Sequence, residues 1–238
     1  MRRFYAPQEN FTERSVELDA EQTPHLRDVL RLKIGDEVNV FDGMGREYAC
    51  KIRSIEKKRS ILSILSEITP AAPESKLILN LAAAVTKGEK FDIVVQKAVE
   101  LGASSLQPLY TQRCEVKPSG SDRRLVRWRK IALEAAKQCG RAKLMTVSEP
   151  IDFDKFARSV SGNVIMFSER DGESFSKIKP AGELTAMVGP AGGWDDNELK
   201  TARERGFHIT TLGGRILRAE TAAIAFLAIL QNRFGDIN

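Results

Sequence analysis

The chain has 238 residues, 42% of them hydrophobic and 29% charged, with a net charge of +5. This is an ordinary globular composition, with length for one large domain or two modest ones. No apolar run approaches the roughly 20 residues of a membrane span, and the opening Met1-Arg2-Arg3-Phe4-Tyr5 has no apolar signal core, so a cytoplasmic protein with no membrane partner is expected.

In chain order, a short helix is expected at about Pro24 to Leu32. Three β-rich runs follow, Glu37 to Phe41, Glu47 to Ile55 and Ile61 to Ile68, with turns at Asp42-Gly43-Met44-Gly45 and Lys57-Lys58-Arg59. Residues 1–70 therefore read as a small β-barrel with only a modest core of its own. Thr69-Pro70-Ala71-Ala72-Pro73-Glu74-Ser75 has two prolines and no periodicity, so 71–75 reads as a linker.

From 76 to 238 the pattern alternates between strands and helices. Leu77 to Val85 is an apolar strand. Phe91 to Leu101 has helical spacing and is closed by Gly102. Leu106 to Tyr110 is a strand, Asp122 to Cys139 a long basic helix, Phe153 to Val160 a helix and Val164 to Ser168 a strand. Two strand–loop–helix units end the chain. In the first, Leu184 to Val188 runs into Gly189-Pro190-Ala191-Gly192-Gly193 and a helix opening at Asp195. In the second, Ile209 to Leu212 runs into Gly213-Gly214-Arg215-Ile216-Leu217-Arg218 and an apolar helix, Glu220 to Phe234. Such alternation predicts an α/β domain with a largely parallel sheet.

Two tandem units place both glycine loops outside the carboxyl ends of their strands, where open α/β sheets bind ligands. Glycines there let backbone groups approach a small molecule closely. Neither GxxxxGK[ST] nor a GxGxxG after a strand is present, which excludes the common phosphate cradles. A nucleoside held by backbone and apolar groups, such as S-adenosylmethionine, is permitted. Asp195 and Glu198 have capping-box spacing and read as structural. Arg218 and Glu220 flank the second loop and suit either a reaction or an ion pair that fixes it. Cys50, Cys114 and Cys139 lack a CxxC pattern or a companion histidine, which argues against a metal site. His25 and His208 have no nucleophile beside them in sequence, so a hydrolase triad is not expected.

Charge is unevenly spread. Residues 1–70 carry 12 basic and 12 acidic side chains, whereas 76–147 carry 14 basic against 6 acidic. Such an excess suits a polyanion, and equally a solvated basic surface. The helix Asp122 to Cys139 has an apolar stripe of Leu125, Trp128, Ala132, Ala135 and Cys139. Its basic stripe is Arg123, Arg127, Lys130, Lys137 and Arg141.

The pair Gly189-Pro190-Ala191-Gly192-Gly193 and Leu212-Gly213-Gly214-Arg215-Ile216-Leu217-Arg218-Ala219-Glu220-Thr221-Ala222 resembles the signature of the 16S ribosomal RNA uracil-N3 methyltransferases, of the knotted SPOUT superfamily. The resemblance runs the whole chain, through His25 to Arg31 with Gly35-Asp36, Lys90 to Gly102, and Glu134 to Arg141. The family usually has a glutamate at the place of Ala191, and commonly one at Lys137.

The resemblance implies an N-terminal PUA-like RNA-binding barrel and a C-terminal SPOUT-like domain with a trefoil knot, a feature that chain-connection rules do not predict. It implies a homodimer, S-adenosylmethionine as cofactor, and 16S rRNA in the small ribosomal subunit as partner. Carried onto this chain, the cofactor set is Phe167, Gly189, Pro190, Gly192, Gly193, Leu212, Gly213, Ile216 and Leu217. Arg218 is the candidate to stabilise charge on the uracil, with Glu220 or solvent as base. Arg3, His25, Arg27, Arg31, Arg123, Arg127, Lys130 and Arg141 are the candidates to grip RNA. The alternatives are another RNA methyltransferase of the superfamily, acting on tRNA or a ribose hydroxyl, and a noncatalytic RNA-binding or assembly factor.

Overall fold

The computed structural model describes residues 2–118, 123–179 and 182–237. Asp122, the expected start of the basic helix, lies outside them. The chain divides into two units: Met1–Glu74 with Ala136–Leu144, and Ser75–Ala135 with Met145–Asn238.

In the first unit, β1 (Arg3–Tyr5), β2 (Ser15–Leu18), β3 (Glu37–Phe41), β4 (Glu47–Ile55) and β5 (Ser60–Ile68) form one sheet in the order β1-β3-β4-β5-β2. β1 runs parallel to β3; the other pairings are antiparallel. The register of β4 on β5 shifts at Ala49/Cys50 and at Ile52/Ser54. Bulges of this kind increase twist and let a short sheet curl about its own core. Phe4, Val16, Leu18, Leu26, Val40, Ile52 and Leu62 fill that core. Burial there pushes the Cys50 thiol up to about 12, which keeps it protonated and inert at neutral pH.

The strands expected at Glu37 to Phe41 and Glu47 to Ile55 have those bounds, and the third starts one residue early. The short helix differs more. Asp19 Oδ1 accepts the amides of Glu21 and Gln22 at 2.9 Å, so α1 (Gln22–Pro24) opens earlier than expected. It continues as a π-helical turn over His25–Val29 and ends before Arg31, whose φ is +52°. Regular helix does not pass through that left-handed region. The turn at 42–45 needs its first glycine: Gly43 has φ +79°, and a Cβ there would lie 2.9 Å from the Tyr5 ring. The stretch read as a linker is held in place, with Ala72 N donating to Gly140 O at 3.2 Å and Glu74 paired to Arg141 at 2.7 Å.

The second unit is a parallel sheet. Its strands are β6 (Ile78–Ala84), β7 (Ser105–Tyr110), β8 (Thr146–Val147), β9 (Ile151–Asp152), β10 (Val164–Phe167), β11 (Glu173–Ser174), β12 (Glu183–Val188) and β13 (His208–Thr211). They lie in the order β11-β13-β10-β12-β6-β7-β8, with β9 also on β7, and every pairing is parallel. The helices are α2 (Lys90–Glu100), α3 (Arg123–Cys139, whose residues from Ala136 on belong to the first unit), α4 (Phe153–Ser159), α5 (Asp196–Glu204) and α6 (Ala219–Phe234).

The apolar spacing of α2 buries Phe91, Val94, Val95, Ala98 and Val99. Gly102 ends it at φ +76°, and a Cβ there would lie 2.6 Å from the amide of Gln231 on α6. That amide is fully buried and donates to Leu101 O at 3.0 Å, which locks the end of α2 to α6. On α3, Trp128 is buried against Phe91 at 4.6 Å between ring centres. It is a core residue, as its place in the apolar stripe suggests. No helix among the described residues is long and apolar enough to cross a membrane.

Candidate functional site

Three neighbouring strands end together. Phe167 of β10 pairs with Val188 of β12 on one side and with Thr210 of β13 on the other. The loops that follow converge on a cavity of about 340 Å³, lined by Phe167, Glu169, residues 188–194, residues 211–217, Ala219 and Ala222. This lies within the range of about 300–1,000 Å³ usual for small-molecule sites. All nine residues expected to hold a cofactor are in the lining: Phe167, Gly189, Pro190, Gly192, Gly193, Leu212, Gly213, Ile216 and Leu217.

The first loop is shaped by what it packs on. Trp194 is buried and its Nε1 donates to Phe167 O at 2.8 Å, pinning the loop to the end of β10. A Cβ on Gly189 would lie 2.9 Å from the Trp194 ring, so only glycine lets the chain leave β12 this way. Gly193 has φ +69° and lies so close to the Glu169 carboxylate that a Cβ would collide with it. Arg113 donates to Gly192 O at 3.3 Å and reaches Asp195 Oδ2 at 3.4 Å. Arg170 donates to Trp194 O at 3.0 Å and Asp196 Oδ1 at 2.7 Å. Sequence reasoning missed Glu169, Arg113, Arg170 and Trp194. Only Trp194 stands beside a motif; the others come from other strands.

Asp195 and Glu198 form the expected capping box. Asp195 Oδ1 accepts from Asn197 N at 3.1 Å, and Glu198 Oε2 accepts from Asp195 N at 2.9 Å. Glu198 Oε1 also takes the amide of Gln112 at 2.9 Å, so this carboxylate joins α5 to the segment after β7. Burial raises its pKa above the ordinary carboxylate value, partly offset by those two amides. The role is structural.

The second loop is open. Residues 213–216 are exposed, Ile216 to 86%, and the side chains of Leu212 and Leu217 are half-buried. Arg218 is the N-cap of α6, exposed, between the lining residues Leu217 and Ala219. Glu220 is half-buried in the first helical turn. Neither is in the lining, and no ion pair joins them among the described residues.

The expected RNA-gripping set divides. Arg3 and Arg141 do not fit it. The Arg3 side chain is 1% exposed, bidentate to Glu47 at 2.9 and 3.0 Å, and donates to the carbonyls of Ala136 and Arg141 at 3.0 and 2.9 Å. Arg141 is 5% exposed and bidentate to Glu74. Both guanidiniums are consumed inside the first unit, because a buried cation requires a paired anion and a filled set of acceptors. His25 is half-buried, edge-on to Phe4 at 6.0 Å. Arg27 is paired to Asp28 at 2.7 Å and Arg127 to Asp92 at 2.6 Å. Arg31, Arg123, Arg127 and Lys130 are exposed.

The cavity chemistry suits a nucleoside cofactor. Among the described residues Glu169 is the one acid of its lining and Arg215 the one base; the rest is backbone, apolar and hydroxyl surface. Close backbone approach is provided by the glycines, and no cluster of cations demands a phosphate.

Two protein families match. The family described as an RNA methyltransferase domain matches residues 73–231, and that described as an RNA methyltransferase PUA domain matches residues 18–65. The ribosomal RNA small subunit methyltransferase E of Synechocystis is 34% identical over 229 residues, 92% of this chain and 74% of that protein. The crystal structure of a protein of that name from Neisseria gonorrhoeae, bound to S-adenosyl methionine, is 34% identical with a TM-score of 0.92 and covers 100% of both chains. The putative methyltransferase Lpg2936 from Legionella pneumophila, in complex with the same cofactor, is 32% identical with a TM-score of 0.91, covering 99% of this chain and 98% of that one.

Proposed function

Because the chain belongs to the RNA methyltransferase family that includes the ribosomal RNA small subunit methyltransferases E, we propose that it transfers the methyl group of S-adenosylmethionine to N3 of one uridine in 16S ribosomal RNA. The observation that carries this reading is the convergence of both glycine loops and Phe167 on one cavity, in a chain whose fold is shared along its length with two methyltransferases solved with that cofactor.

Bound S-adenosylmethionine supplies an electrophilic methyl on a sulfonium; the protein supplies position and electrostatics. Leu212, Ile216 and Leu217, with the 189–193 loop, would give the adenine its surface, Phe167 would stand near the third loop of the knot, and Gly189, Pro190, Gly192, Gly193 and Gly213 would let the backbone close on the cofactor. Uracil N3 must lose its proton before or during attack, and the charge spreads to the flanking carbonyl oxygens. Arg218, at the rim, stabilises those oxygens. Glu220 and solvent are the two candidate acceptors of the proton. We carry over from the resemblance a trefoil knot in this stretch; the fold shared with the two solved methyltransferases supports it.

The test is methyl transfer from labelled S-adenosylmethionine to small subunits that lack their uridine N3 methylation, with the nucleoside mapped by mass spectrometry. Label at N3 of a single uridine is expected. Label on tRNA or a ribose hydroxyl instead would reassign the substrate, and cofactor binding without transfer would make the chain a noncatalytic binding factor. Ala191, where the family usually has a glutamate, makes this control informative.

N3 lies on the pairing edge, so the target uridine is unpaired, as sequence-specific RNA sites usually are. The exposed cations Arg31, Arg123, Arg127 and Lys130, with Arg27 and His25, form the RNA-gripping set that remains. Contact with phosphates makes RNA affinity fall steeply with salt, by about 10²-fold or more between 50 and 200 mM for four or more contacts. Affinity that hardly changes with salt would remove phosphate contacts from the reading. The homodimer implied by the resemblance is checked by light scattering, where twice the mass of the chain is expected and the mass of one chain would overturn it.

A further inference from the structure

Among the described residues Glu169 is the one acidic side chain lining the cavity, and neither motif that flags the site contains it. It stands two residues beyond β10, the strand that pairs directly with the glycine-loop strand β12 through Phe167 and Val188. Its carboxylate lies against Gly193, whose missing side chain makes room for it. Among the described residues its ion pair is a long one, with the Arg170 guanidinium at 4.0 Å. Arg170 is itself committed to Asp196 at 2.7 Å and Trp194 O at 3.0 Å. The Glu169 side chain is 36% exposed and lines the cavity, so its carboxylate is open to a ligand there.

Two readings of a carboxylate here are chemically open: an acceptor for a vicinal diol, or a counter-ion for an ammonium group. Placement favours the diol. An acid at the carboxyl end of the strand next to a glycine-loop strand is the arrangement that takes ribose hydroxyls in other α/β nucleotide sites. A carboxylate can accept two hydroxyl donors at once, and such charge-assisted bonds are the strong ones. At Gly193 no side chain stands against the carboxylate.

We propose that Glu169 binds the ribose hydroxyls of the nucleoside cofactor, and that the absence of a Cβ at Gly193 is what admits its carboxylate. This rests on the cofactor reading above and adds a specificity residue to it. Glu169 is not assigned a part in methyl transfer.

The experiment is calorimetric binding of S-adenosylhomocysteine, its 2′-deoxy and 3′-deoxy analogues, and 5′-methylthioadenosine to the wild-type chain, Glu169→Gln and Glu169→Ala. Thermal unfolding midpoints show that the variants fold. Loss of a hydroxyl should weaken wild-type binding roughly tenfold or more. Each variant should weaken S-adenosylhomocysteine by a similar factor, yet discriminate little between ribose and deoxy ligands. 5′-Methylthioadenosine, which keeps the ribose and lacks the amino-acid end, should lose as much as S-adenosylhomocysteine. If the variants weaken ribose and deoxy ligands equally, or leave affinity unchanged, the proposal is overturned. A loss confined to S-adenosylhomocysteine would assign the carboxylate to the ammonium instead and overturn it as well. If the wild-type chain binds neither S-adenosylmethionine nor S-adenosylhomocysteine, the cofactor reading itself fails, which is distinguishable from failure at Glu169 alone.

Discussion

Replacing Arg3 by alanine is expected to cost about 3–5 kcal/mol of folding stability, the range for removing one partner of a buried ion pair. The guanidinium makes two bonds to Glu47, whose side chain is also 1% exposed. It satisfies the carbonyls of Ala136 and Arg141 and lies 4.0 Å above the Phe41 ring. Alanine would leave a buried carboxylate without its cation and two carbonyls without their donor. The measurement is urea unfolding of Arg3→Ala beside the double substitution Arg3→Met, Glu47→Leu. The double variant removes both charges and should recover the part of the loss that comes from the orphaned Glu47 carboxylate, but not the part that comes from the carbonyls of Ala136 and Arg141, which Met cannot satisfy. A loss below about 1 kcal/mol, inside the usual range for a surface pair, would contradict the buried role. Unchanged stability with weakened RNA binding would restore Arg3 to the RNA surface.

Arg3 shows why charge patterns read from sequence mislead. Met1-Arg2-Arg3 has the composition of a basic N-terminal arm, and nothing local reveals that Arg3 enters a strand. β1 is three residues long, too short for a period-2 signal, and its partner β3 begins at Glu37. The acid that neutralises Arg3 is 44 positions away, and the carbonyls it satisfies are 133 and 138 positions away. Arg141 is hidden in the same manner by Glu74, 67 positions away. Long, strongly patterned elements were legible: β4 through its β-rich content between turns, β12 through its apolar run, α2 and α3 through helical spacing, and α5 through its capping box. The two-residue strands β8, β9 and β11 were not, because pairing alone defines them.

The site was legible where glycine makes it so. Gly189 and Gly193 mark positions where a side chain would strike Trp194 or Glu169, a local constraint that leaves a local mark. The supports of those loops were not legible, because Arg113 and Arg170 reach them from the segments after β7 and β10. The knot has no sequence signal of its own, since threading changes neither periodicity nor composition; it entered through resemblance only.

Replacing Arg218 by alanine is expected to lower methyl-transfer turnover by about 10²- to 10³-fold, the loss typical of removing one donor from a developing anion, while cofactor affinity changes by less than about twofold. The two effects separate because of where the side chain starts. Arg218 is the exposed N-cap of α6 with extended backbone, φ −66° and ψ 152°, between Leu217 and Ala219 of the cavity lining. It is outside the lining itself, so its removal is expected to leave the cofactor's contacts in place. Its planar fork suits a delocalised uracil anion better than a point charge does, so Arg218→Lys should recover only part of the rate. Single-turnover transfer on small subunits gives the rate, and calorimetry gives the affinity. Equal loss of both would assign Arg218 to binding or to folding. Glu220→Gln then separates the two proton acceptors. If the carboxylate takes the N3 proton, turnover falls; if solvent does, the rate is retained.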